Sequence, residues 1–226
     1  MRDQHEQGRR AWLRAIAAGG ALGASGWIAA ALAKGDLGPG KGVVRLEGTA
    51  SVNNKPARIG TPVAPGDRVA TGANSMAVIV VGEDAFLLRA NTDIQTKGGG
   101  SVLTDLLVGT GKVLSVFSKK PLAIKAATAS IGIRGTGAYI EVDPASVYFC
   151  LCYGEALVQG PGMKEGVTVK TTHHEQPLVL TESGGQLRAA PGGFRDHTDA
   201  ELIMLEALVG REPPFTKGGT YPVGKY

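Results

Sequence analysis

Residues 76–96 read MAVIVVGEDAFLLRANTDIQT. Two short apolar runs, MAVIVV and AFLL, flank the turn signal Gly82-Glu83-Asp84, and the second fades into alternating polar and apolar residues. Runs this short, rich in Val, Ile and Leu and closed by Gly and Asn, read as strands rather than core helices. The same grammar extends in both directions. Upstream, VVRLEGTASV is followed by NNKP and RVAT by GANS; downstream come KVLSVF, LAIKAATASIGI, AYIEV, VYFCLCYGEALVQ, GVTVKTT, PLVLTES and GQLRAA. The expectation is an all-β domain of about ten short strands. Only LTDLLVG, residues 103–109, hints at a helical turn. One helix is expected near the C-terminus, where Thr198 and Glu201 form a capping box, Leu202, Leu205, Leu208 and Val209 follow at helical spacing, and Gly210 can end it. Its apolar stripe is expected to dock on the β-domain. The remaining REPPFTKGGTYPVGKY has no periodicity and reads as an extended tail.

Composition agrees with many turns: 34 glycines and only 5% aromatic residues in 226. The net charge of +4 does not indicate nucleic-acid binding. Residues 1–33 hold Arg2, Arg9, Arg10 and Arg14 against Asp3 and Glu6, leaving 20 basic and 18 acidic residues in the rest, with no basic stripe to neutralise phosphates.

The first 33 residues read as a signal peptide: a charged start, an Ala/Gly-rich stretch from Ala15, and small residues at Ala31 and Ala33 for cleavage. Arg9-Arg10-Ala11-Trp12-Leu13-Arg14 resembles the twin-arginine export signal, which implies a periplasmic protein carried across already folded. If the leader were not cleaved, it would instead tether the chain to the membrane. Residues 34–42 form a Gly/Pro linker, 43–190 the β-domain, and 191–226 the helix and tail.

Within the β-domain, Gly66-Asp67-Arg68-Val69-Ala70-Thr71-Gly72 is followed by Ser75-Met76-Ala77 and by Leu88 to Thr92. Gly132, Arg134, Gly135 and Thr136 then lie in IGIRGTGAYIEV, and YGEALVQ closes the series. The order and spacing resemble the periplasmic FecR domain of iron-dicitrate-type regulators, over about residues 43–160. The resemblance implies that family's β-fold and an exported location, with Asp67, Gly72, Arg134, Gly135 and Thr136 on its pattern positions. Eight residues precede Arg9, too few for the cytoplasmic anti-sigma segment of such regulators, so sigma-factor control is not expected. GIRGTG is not a dinucleotide fingerprint, because its glycines are misplaced and no helix pattern follows. Gly135 is expected to supply an unusual backbone angle.

Both cysteines of the chain fall in YFCLCYGEALV, residues 148–158. On a strand, Cys150 and Cys152 share a face with Tyr148, while Val147, Phe149, Leu151 and Tyr153 take the other. A disulfide needs Cβ atoms within about 4.5 Å, which an extended i, i+2 pair exceeds. A bridge would buckle the strand and be easily reduced, a redox switch rather than a staple. If the chain turns near Gly162 or Met163 and returns through VTVKTTHHE, Cys152 faces residue 173 or 174. Adjacent residues face opposite sides, so one of His173 and His174 joins the cysteine face. Two thiolates and an imidazole, with a fourth ligand from His197, Glu175 or an outside molecule, suit zinc, copper or a haem iron. Three readings stay open: small core residues with a solvated His pair, a metal or haem site using Cys150, Cys152, His173 and His174, and redox chemistry. His197, directly before the capping Thr198, reads as part of the helix start rather than as a ligand.

No G-x-S-x-G elbow is present, and His174-Glu175 lacks the second His of a zincin helix. An enzyme is not expected. The sequence points to an exported, FecR-like, non-catalytic binding or sensing domain of the cell envelope, meeting an envelope protein or a small ligand. The alternative is a metal- or haem-binding accessory protein built on the Cys/His cluster.

Overall fold

The computed structural model describes residues 41–216. The expected leader, nearly all of the linker and residues 217–226 lie outside the described residues.

Fifteen strands follow in chain order: β1 (Gly42–Glu47), β2 (Ala50–Val52), β3 (Lys55–Pro56), β4 (Arg68–Thr71), β5 (Met76–Val81), β6 (Asp84–Leu88), β7 (Asp93–Gly99), β8 (Val102–Val116), β9 (Pro121–Ala126), β10 (Ala129–Arg134), β11 (Gly137–Asp143), β12 (Ser146–Gln159), β13 (Val167–Thr171), β14 (Leu178–Ser183) and β15 (Gln186–Pro191). One α-helix, α1 (Asp199–Leu208), comes after them. The fold is all-β as expected. There are more strands than ten because segments such as LAIKAATASIGI, expected as one run, turn at Ala127, where φ is +48°, and form β9 and β10.

The strands form two layers. In one the order is β1-β5-β6-β8-β11-β12-β14-β15, antiparallel throughout. In the other it is β3-β2-β4-β7-β8-β9-β10-β12-β13, where only β8 and β9 run parallel. Strands β8 and β12, 15 and 14 residues long, pass from one layer into the other. The main core fills the space between, with Ile79, Phe86, Ile140 and Phe149 from the first layer against Ile94, Leu106, Ile124, Ile131 and Val158 from the second.

The first layer is also covered on its outer face. Ala77, Ile79 and Val81 of β5 point into the main core, while Val78 and Val80 join a second apolar cluster with Tyr139, Tyr148, Cys150, Cys152, Leu202, Met204 and Leu205. A strand buried on both faces reads as a continuous apolar run, which is why MAVIVV shows no alternation. The helix supplies the outer cover. Thr198 Oγ1 accepts from Glu201 N and the Glu201 carboxylate accepts from Thr198 N at 2.9 Å, so both halves of the capping box are present. Gly210, at φ +75°, ends the helix. Its charged residues are buried too: Arg89 donates to both Glu201 oxygens, at 3.0 and 3.1 Å, and Glu206 takes Tyr153 Oη–H and Arg211 Nε–H.

Two local expectations change. LTDLLVG is strand, inside β8, and not a helical turn. Gly98 pairs with Leu103 and Lys97 with Asp105, so Thr104 is an extra residue, and the bulge spaces the inward Leu103 and Leu106 by three, imitating a helical period. Tyr153 lies on the cysteine side, not with Leu151. Gly137 pairs with Tyr153 and Ala138 with Leu151, so Cys152 is the extra residue of a second bulge, and the alternation resets after it. Gly135 behaves as expected, with φ +62° in the turn between β10 and β11.

Replacing Thr198 by Ala removes a helix cap and is expected to cost about 1 kcal/mol. Gly135→Ala, which forces a Cβ into the left-handed region, is expected to cost about 1–2 kcal/mol. Denaturant midpoints of the two variants beside the wild type check both values.

Candidate metal centre

The hairpin of β12 and β13 brings the histidines back to the cysteines. Gly154 pairs with Thr171, and beyond that pair the register slips by one residue, so that His174 N donates to Cys152 O at 3.0 Å where a continued ladder would set His173 opposite Cys152. Strand geometry stops at Thr171. Glu175 folds its carboxylate under the turn, accepting from Thr172 N and His173 N at 2.8 Å each and from the Thr172 hydroxyl. Burial opposes its ionisation, but these donors outweigh that and bring its carboxyl down to about 2. Glu175 is thus the anchor of the turn and not a ligand. His174 takes a left-handed φ of +60°. Strand alternation no longer applies, and both imidazoles reach the same carboxylate.

His174 is the histidine that meets the cysteines. Its Nδ1 lies 3.5 Å from Cys150 Sγ and 3.2 Å from Nε2 of His197, which is itself 3.5 Å from Cys152 Sγ. The four ligand atoms all lie within 4.8 Å of one another. Both cysteines are fully buried and the two histidines are 3% exposed. His173 is not part of this group. Its Nε2 sits 2.9 Å from Asp199 Oδ1, and its ring stacks on Phe215 with centroids 4.5 Å apart. The sequence offered His197 as one of several fourth donors but favoured a role at the helix start. It does lie at the helix start, but its ring turns inward, stacked on Tyr139 at 4.6 Å, and nothing in the local pattern around residue 197 reveals that direction.

Each inner imidazole has an acceptor for its other nitrogen. His174 Nε2 is 3.1 Å from Asp199 Oδ1, and His197 Nδ1 is 2.7 Å from Arg195 O. Those contacts occupy the far nitrogens and leave His174 Nδ1 and His197 Nε2 turned toward the sulfurs. This is how metal-binding histidines are held, by a carboxylate or carbonyl on the far nitrogen.

The thiols are electrostatically unequal. A hydrogen bond from Cys152, against the cost of burial, together with the His174 and His197 imidazoles, pushes Cys150 far below the ordinary thiol range. Burial and the neighbouring Cys150 push Cys152 well above it. Burial works against a charged His174, but Asp199 and Cys150 together raise its affinity for a proton. Both cysteines are free thiols.

Three of the six edges of the tetrad can be compared with those of one small ion, and the other three lie within 4.8 Å. Zinc bonds of about 2.3 Å to sulfur and about 2.0 Å to nitrogen imply, at a tetrahedral angle, sulfur–nitrogen separations of about 3.5 Å and a nitrogen–nitrogen separation of about 3.3 Å. The measured 3.5, 3.5 and 3.2 Å match these edges. A haem does not fit, because four donors converging within 4.8 Å of one another leave no room for its flat ring.

The residues on the FecR-like pattern lie away from this tetrad and shape turns. Asp67 accepts from Asn53 Nδ2 and Ala64 N, both at 2.7 Å, and Gly72 N donates to Thr49 O at 2.9 Å. Arg134 Nε donates to Lys119 O at 3.0 Å, and Thr136 is buried, with its carbonyl accepting from Phe117 N. An open groove of about 820 Å³ is lined by Arg134, Glu155 and Leu157 among others, and by none of the four ligand residues.

No protein-family model matches the chain, and no curated protein does. Among solved structures, two crystal structures of a protein from Parabacteroides distasonis ATCC 8503, assigned as an anti-sigma factor, are similar at 11% and 10% identity, each with a TM-score of 0.45. Each match covers 55% of this chain and 59% of that one, so the chain spans about three fifths of the length of those structures.

Proposed function

We propose that this chain is an exported, non-catalytic binding or sensing domain of the cell envelope, of the FecR kind, built around one tetrahedral Zn²⁺ held by Cys150, Cys152, His174 and His197. The observation that carries the metal reading is the agreement of three measured donor separations with tetrahedral edges, inside a cluster that is almost wholly buried. Charge favours Zn²⁺ over Cu⁺. Two thiolates cancel a divalent ion, whereas a monovalent ion leaves a net negative centre beside the buried Asp199, and uncompensated charge in an apolar interior is costly.

Four protein ligands close the coordination sphere. A catalytic zinc keeps one position open for water, so this centre supports structure rather than hydrolysis. Export is supported by the Arg9-Arg10 leader, and a route that carries folded proteins suits a centre assembled inside a core. Any partner protein or small ligand then meets the outer surface.

Elemental analysis of protein exported through its own leader is expected to find about one equivalent of zinc, and none in a Cys150→Ser/Cys152→Ser double variant. No metal in either protein, with equal thermal stability, would return the cysteines to the role of core residues. Asp199→Asn is expected to weaken zinc binding by about 10- to 100-fold, measured by chelator competition. His173→Phe should leave the stoichiometry at one.

A further inference from the structure

We infer that the ion is a clasp: its occupancy fastens the C-terminal cap, residues 192–209, onto the outer face of the first layer, and its removal frees the cap while the sheet stays folded. The inference rests on the zinc reading above and adds what the ion controls.

The ligands come from two separate pieces of chain. Cys150, Cys152 and His174 belong to the β12–β13 hairpin and the turn that follows it, whereas His197 belongs to the segment 192–198, which has neither strand nor helix. That segment also carries Asp196 in a left-handed conformation, φ +59°. Its other ties are few: Gly192 N donates to Pro177 O and Arg89 to Asp196 O, each at 2.8 Å, the half-buried Phe194 ring packs on His174 and His197, and the remaining ties involve ion pairs near the surface. Lys112 pairs with Asp196, Arg195 pairs with Glu141 and lies over the Tyr148 ring, and Tyr148 Oη donates to Gly193 O at 2.8 Å. The Asp196 side chain is 46% exposed and that of Arg195 44%, so these ion pairs are screened and weak. Asp199, behind His174, ties the first turn of α1 to the same ion.

The two apolar clusters divide the consequences. None of the four ligands belongs to the main core between the layers, while both cysteines belong to the outer cluster that contains Leu202, Met204 and Leu205 of α1. Without the ion, two sulfurs and two imidazoles are left sharing protons in that outer cluster. The penalty falls on the interface between cap and sheet, and the sheet keeps its own core.

The test is amide exchange read by mass spectrometry on the full-length protein, zinc-loaded and after chelation, with metal content measured in each state. Chelation is expected to accelerate exchange in 192–209 by about tenfold or more, with β9 and β10 unchanged. His197→Ala should show the same fast cap in the presence of zinc, with the sheet peptides reporting that it has folded. Unchanged exchange in the cap after the zinc has left overturns the clasp but not the site. Acceleration throughout the sheet also overturns it, since the ion would then hold the whole fold. Protein that holds no zinc before chelation overturns the site and the clasp together.

Discussion

Strand β12 belongs to both layers and is buried on both faces over Val147–Tyr153, and the rest of the molecule is arranged around that constraint. Its N-terminal half lies between β11 and β14 in one layer, and its C-terminal half between β10 and β13 in the other. Phe149 and Leu151 fill the core between the layers, while Tyr148, Cys150 and Cys152 face outward. An outward face this apolar cannot be left to water. The chain covers it with a ten-residue helix and the segment leading into it, and most of the helix is consequently buried, acids included.

The cover brings polar groups into a dry place, and its buried acids are each met. Glu201 is met by Arg89 and Glu206 by Tyr153 and Arg211, pairings that offset the desolvation of buried carboxylates. Asp199 receives two imidazoles at once. The sulfurs and inner histidines face one another at the centre of the arrangement. Such a group of donors is satisfied most fully by a cation, because a thiolate and an imidazole lone pair are both acceptors and cannot fully satisfy each other. The bulge at Cys152 contributes directly. It bends β12 and resets its alternation, so Tyr153 follows the cysteines outward and reaches Glu206 of the helix.

The residues that carry the FecR-like resemblance do different work. Asp67, Gly72 and Arg134 satisfy backbone groups in turns, and Gly135 provides a left-handed angle between two strands. They specify how strands succeed one another. None of them touches the tetrad, so the resemblance bears on the scaffold and the Cys/His cluster on the chemistry.

The sequence by itself determined whatever depends on neighbours along the chain. Short Val- and Ile-rich runs between turn residues made the fold all-β, Thr198 with Glu201 placed the helix, and the turn near Gly162 made a hairpin that brings residues 173 and 174 back to the level of Cys152. Period-two alternation placed Cys150 and Cys152 on one face. Tertiary structure decided the remainder. Two bulges broke that alternation, making LTDLLVG look helical and moving Tyr153 across the strand, because a bulge is a property of pairing with a partner strand and not of one strand alone. It also chose among the histidines. Glu175 locks a turn in which His174 turns left-handed toward the sulfurs and His173 goes to Asp199, and helix docking carries His197 inward from 45 residues beyond Cys152. A fourth donor that distant in sequence is positioned by burial of the helix against the sheet, which no local pattern encodes.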